Sequence, residues 1–147
     1  MKADKLLLPA LNGTLLMTLF SYIVSGSEGK NFSEPELLAA LEKEAFPEGA
    51  KKLALPAGWI THYTVGVLFT FLYEYLWQNT SIKPTVKSGA ILGGLSGIAG
   101  VLSWKLAFKA HPAPPRTDYR KFYNQLLIAH IIFGMFVALT RKETGKQ

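Results

Sequence analysis

Two histidines sit where side chains could do chemistry. His62 lies in an apolar run at 60–69 and His130 in another at 128–137, and each stands four residues before a glycine, Gly66 and Gly134. A neutral imidazole offers one N–H and one lone pair, so a matched pair suits three kinds of work. Each ring can bond a hydroxyl or carbonyl on a neighbouring helix, with the glycine one turn on admitting that helix closely. Alternatively His62 and His130 hold a haem or a metal ion, the glycines leaving room for a flat ring. In the third reading they bind a polar headgroup or relay protons. The sequence favours the packing reading, which needs no cofactor. Haem is the cofactor the pair would suit, while too few further ligands accompany them for a closed metal site.

Other chemistries lack their residues. With no cysteine there is no thiol nucleophile, thiolate zinc site or disulfide. Neither His-Glu-x-x-His nor Gly-x-Ser-x-Gly occurs, and Asp118 and Glu74 are expected on opposite membrane faces. The glycine-rich stretch 89–100 is not followed by the Gly-Lys-Ser/Thr of a phosphate loop. Glu28, Glu34, Glu36, Glu42, Glu44 and Glu48 read as a solvated acidic face rather than as metal ligands. The expectation is therefore a protein that is not an enzyme.

Long apolar helices must carry the histidines. The chain of 147 residues is 49% hydrophobic with mean hydropathy +0.19, high for a water-soluble domain of its size. Apolar runs at 6–24, 55–77, 88–106 and 122–140 hold 19, 23, 19 and 19 residues. A helix needs roughly 20 to cross a hydrocarbon core of about 30 Å. The runs are apolar nearly all round, whereas a soluble helix keeps a polar face. The fold expected is all-α, a four-transmembrane-helix bundle forming one domain over 1–147. Basic residues, which give a net charge of +6, lie mostly between or just beyond the runs, so membrane lipids rather than nucleic acid are the expected partner. The first run has the basic start and small-residue end of a signal peptide, but its apolar part is too long, and it is expected to be retained.

Within the first run Gly13, Met17 and Phe20, flanked by Thr14, Thr18 and Ser21, form a strip for close helix contact, and Asn12 should face protein. Between the first two runs, Ser33-Glu34-Pro35-Glu36 has capping-box spacing and opens a short amphipathic interfacial helix at 34–46. Trp59 at one end of the second run and Tyr73, Tyr75 and Trp77 at the other suit two headgroup belts. Glu74, near that second end, should reach water and pair with Lys83 or Lys87. The third run carries Gly89, Gly93, Gly97 and Gly100 in small-x-x-x-small spacing, which predicts the central packing helix and a face for homo-oligomers. Residues 110–119 hold Pro112, Pro114 and Pro115 and cannot be helical throughout. Basic residues number seven on the side of the termini and nine on the other, which does not decide orientation; cytoplasmic termini are the expectation adopted.

Aligning 12–16 with 88–92 and His62-x-x-x-Gly66 with His130-x-x-x-Gly134 suggests two duplicated helical hairpins, with both histidines in one leaflet. The set Gly13-x-x-x-Met17-Thr18-x-x-Ser21, Glu34-Pro35-Glu36, Gly58-Trp59-x-x-His62-x-x-x-Gly66, the glycine-rich third run and His130-x-x-x-Gly134 resembles a family of small four-helix bacterial membrane proteins without an assigned function. The resemblance implies a bacterial integral membrane protein, expected in the inner membrane, and brings no activity with it. The leading expectation is an accessory subunit or scaffold, alone as an oligomer or within a larger membrane complex. The alternative is a haem- or ligand-binding protein using the histidine pair. A small-molecule transporter comes third, because no run is broken as transporter sites are.

Overall fold

The computed structural model describes residues 4–144. Five α-helices account for most of them: α1 Asp4–Glu28, α2 Glu34–Glu42, α3 Ala54–Asn79, α4 Val86–Ala110 and α5 Tyr119–Thr144. No strand occurs among the described residues. Four helices, α1, α3, α4 and α5, are long and apolar enough to cross a membrane. Each exceeds its apolar run by a few residues, and α5 continues through Arg141 rather than stopping there. Lys2 and Lys146, counted above for orientation, lie outside the described residues.

The long helices pack as an open row. α3 lies against α1, α1 against α5 and α5 against α4, while the backbones of α3 and α4 stand apart and are bridged by the buried Tyr73 hydroxyl, 2.5 Å from Ser96 Oγ. The row bends so that its two edge helices face each other across a cleft lined from both sides. Along the outside, leucines and isoleucines repeat every three or four residues, Leu11, Leu15 and Leu19 on α1 and Ile91, Leu95, Ile98 and Leu102 on α4, all strongly exposed. Helical spacing puts each set on one outward face, where apolar side chains would meet lipid.

The central helix is α5, not the glycine-rich α4. Phe122, Leu126, Ala129, Phe133 and Val137 recur at steps of four, three, four and four, and all are at most 1% exposed. The glycines of α4 serve that helix. A Cβ on Gly89 would lie 2.2 Å from the Gly134 carbonyl oxygen, and one on Gly93 would lie 2.3 Å from that of His130. Backbones this close tolerate no side chain. Gly97 meets Leu127 and the His130 Cβ, so the glycine face expected to join copies is filled within the chain. The strip on α1 packs inward: Thr14, Met17, Thr18 and Ser21 are buried, and Gly13 receives Val137 and Phe133.

The capping box expected at Ser33 does not form. Asn31 Oδ1 takes the Ser33 N–H that Glu36 would have accepted, and Glu36 bonds Tyr22 and Asn31 instead. Thr85 and Ser88 make that reciprocal pair at the start of α4. The interfacial helix is shorter than expected: α2 ends at Glu42 and gives way to 3-10 turns at Lys43–Ala45 and Glu48–Leu53. It lies on the bundle itself, because the absent side chain of Gly58 lets the Pro35–Ala39 backbone press against α3. The proline segment closes over the same end. His111 Nε2 donates to the Leu41 carbonyl, and the Thr117 hydroxyl to that of Asn31. Asp118 starts α5 by accepting the Lys121 N–H, which, with Lys30 nearby, holds its carboxyl below the usual range.

At the opposite end Glu74 departs from expectation. It is fully buried rather than reaching water, and its partner is Arg141 on α5, not Lys83 or Lys87. A carboxylate in an apolar setting needs a charge partner more than it needs proximity in sequence. Gln78 donates to the second oxygen at 3.0 Å. The Arg141 guanidinium lies 5.7 Å from the Trp77 ring centre, and Trp77 is buried there rather than standing in a belt.

Candidate functional site

His62 on α3 and His130 on α5 line one cavity of about 230 Å³ in the cleft between α3 and α4. The first lies eight residues into its helix and the second eleven, about 12 and 16 Å from the end that α2 covers. Phe69 reaches across and meets the His130 ring edge-on at 5.9 Å. Gly66 and Gly134 do not line up as walls of a slot. Gly66 lines the cavity and admits Thr14 of α1, while Gly134 is the contact point with Gly89. Of the α4 glycines, Gly100 alone borders the cavity: a Cβ there would sit 3.1 Å from His130 Nε2 and Cε1. Its missing side chain makes room for an imidazole rather than for a backbone.

Hydrogen bonding fixes the tautomer of each ring. The Thr18 hydroxyl has one proton, donated to the Thr14 carbonyl at 2.7 Å. Its oxygen, 2.8 Å from His62 Nε2, therefore accepts, so the neutral ring carries its proton on Nε2 and its lone pair on Nδ1. His130 Nδ1 lies 2.9 Å from the Leu126 carbonyl, which can only accept, so its lone pair is on Nε2, beside Gly100. The hydroxyl next to His62 is thus not held as a nucleophile, because its proton points away from the imidazole.

A third polar group joins the histidines, and sequence reasoning misplaced it. Glu34, read as part of a solvated acidic face, is 2% exposed and borders the same cavity from α2. Its Oε1 lies 2.7 Å from Ser21 Oγ and accepts from Gln125 Nε2 at 3.3 Å, while its Oε2 has no partner among the described residues. Burial pushes the carboxyl up to about 7, against the lowering effect of its bonds to Ser21 and Gln125. Local geometry agrees with a protonated acid. Ser21 Oγ is surrounded by three oxygens, from Met17, Glu34 and Gln125, and its single proton can serve only one. The Gln125 orientation is set by its bond to the Phe32 carbonyl. A proton on the Glu34 carboxyl would add a second donor to this group of oxygens. Gln125 carried the signal that could have found this cluster, being a polar amide inside an apolar run, as the histidines are.

The cavity does not fit a haem. Its volume is below the roughly 300–1,000 Å³ of pockets for drug-sized ligands. Moreover, His62 has its Nε2 engaged by Thr18, and His130 turns its free nitrogen toward Gly100. No group of three or more His, Asp or Glu side chains among the described residues could hold a metal ion. The remaining lining is apolar apart from the Ser103 hydroxyl and the Trp104 indole N–H, with Phe133, Leu126 and Met17 among its members, and contains neither Lys nor Arg. No protein-family model, curated protein or solved structure matches the chain.

Proposed function

We propose that this is an integral membrane protein whose four long helices cross the bilayer, and that it binds a small membrane-dissolved ligand in the cleft between α3 and α4. The observation that carries the reading is the apolar cavity whose lining brings together His62, His130 and the buried Glu34, with Glu34 Oε2 unpartnered among the described residues. A buried polar atom left unpaired costs about 1–3 kcal/mol, and a ligand that bonds it recovers that cost. Binding is favoured over catalysis because Thr18 directs its proton to a main-chain carbonyl, leaving no hydroxyl activated by an imidazole. In this arrangement both ends of the chain lie on one side, with cytoplasmic termini adopted, and α2 lies at the other face. Two hairpins related by duplication fit the pairing of Gly66 with Thr14 and of Gly134 with Gly89.

Native mass spectrometry of the full chain, extracted in mild detergent with its lipids, tests the reading. Wild-type protein is expected to retain a small apolar molecule that Gly100→Leu, which fills the cavity beside His130, does not. Ser103→Trp, which narrows the cavity from its exposed rim, serves if the first variant does not fold. Equal ligand content in wild type and a folded cavity-filling variant would overturn the proposal.

A further inference from the structure

The polar groups of the cavity are complementary to one kind of molecule. Resting on the binding role just proposed, we infer that the ligand is a neutral single-chain lipid with free hydroxyl groups, of the monoacylglycerol class. Its two free hydroxyls would donate to His62 Nδ1 and His130 Nε2, and its chain would leave between α3 and α4.

Three observations lead there. The imidazole positions left free are acceptors, both lone pairs following from the Thr18 and Leu126 bonds, while the lining also holds the Trp104 indole and the Ser103 hydroxyl, whose proton goes to the Ala99 carbonyl. Lone pairs left unmatched in a buried site are penalised, and a hydroxyl can donate to them while its oxygen still accepts from an indole N–H. No Lys or Arg lines the cavity, so a phosphate or carboxylate head would face lone pairs with no compensating charge. Finally, the cavity is closed at one end by α2 and opens sideways. Val65 on α3 and Ser103 on α4 line it while remaining exposed, about two turns from the Tyr73–Ser96 hydrogen bond that joins the two helices deeper in the bundle. An alkyl chain can therefore stay in the hydrocarbon layer while its head is inside.

The test compares three oleoyl compounds on the detergent-purified, delipidated full chain, read by thermal shift and by native mass spectrometry. They are 1-monooleoylglycerol, methyl oleate, which has no hydrogen-bond donor, and oleoyl lysophosphatidic acid, which is anionic. Monooleoylglycerol is expected to bind at least tenfold more tightly than either. The preference over methyl oleate should fall to threefold or less in His130→Phe, which keeps the ring against Phe69 but removes the lone pair. His62→Phe, which removes the other imidazole lone pair, is the second variant, should the first not fold. Equal binding of monooleoylglycerol and methyl oleate would overturn the assignment of a hydroxyl donor while leaving the binding role intact. Tighter binding of the anionic lipid would overturn the neutral class. Binding of none of the three, by a wild-type protein that melts cooperatively, would overturn this inference; loss of the broader binding role would additionally require that the native extract hold no ligand.

Discussion

Glu34 links a local hydrogen-bond problem to the behaviour of the whole protein. Its folded-state value of about 7 against an ordinary 4.5 means that the unfolded chain ionises first as pH rises. The sign follows: stability contributed by the buried neutral acid is fully present below about 4.5 and is lost as pH rises to about 7, with the loss on the order of 3 kcal/mol. His62 and His130 face the same cavity, and Glu36 stands two residues away, so the raw pH profile contains more than one group. Glu34→Gln isolates its share. The variant keeps an oxygen and an amide beside Ser21 and Gln125 but does not titrate, so its melting temperature should be flatter between pH 4.5 and 7 than that of wild type. Identical slopes from thermal melts in detergent across that range would contradict the assignment. Sequence made the histidines visible because an ionisable side chain inside an apolar run is expensive. It hid Glu34, because that residue lies among five other glutamates outside the runs, and its burial depends on Ser21, Phe32 and Gln125 meeting from three separate segments.

At the scale of elements, helices were legible from length and hydropathy, and partners were not. Four apolar runs of about 20 residues announce four long helices whatever their neighbours. Which helix is central depends on relative faces. Small-x-x-x-small spacing on α4 marks a contact surface correctly, yet a helix with one such surface can stand at the edge of a row, as α4 does. The large residues of α5, buried from Phe122 to Val137, identify the centre, and they look unremarkable in a sequence that is apolar throughout. Two glycines of α4 on different faces provide a test. A Cβ on Gly89 would collide with the Gly134 carbonyl, whereas one on Gly94 would meet only an Ile131 side-chain carbon at 4.0 Å. Gly89→Ala should destabilise by roughly 3 kcal/mol or more, because the clash is with backbone that cannot yield without parting the helices. Gly94→Ala should be neutral or stabilising by up to about 1 kcal/mol, the helix-propensity gain of alanine over glycine. Equal loss in both variants, measured by unfolding in mixed micelles, would mean that α4 presents a different face to α5.

Taken whole, the molecule is shut at both ends and open along one side. Glu74 and Arg141 tie α3 to α5 at the end where α1 begins and α5 finishes, and Asn12 lies 3.4 Å from Thr140 nearby. At the other end α2 lies over the cavity, held by its contact at Gly58 and by the His111 bond to Leu41. That leaves the gap between α3 and α4 as the way in, and it predicts a dependence on lateral access. Because the chain has no cysteine, thiols introduced at Val65 and Ser103 would be its only ones. Bridging Val65→Cys/Ser103→Cys with a short bismaleimide before ligand is added should weaken monooleoylglycerol binding at least tenfold relative to the same double variant left unbridged. Bridging after loading should instead trap the ligand and slow its release, since the same strap now lies across the exit. Monooleoylglycerol binding to the pre-bridged protein at wild-type strength and rate would show that the ligand enters by another route, leaving α2 as the element that must move.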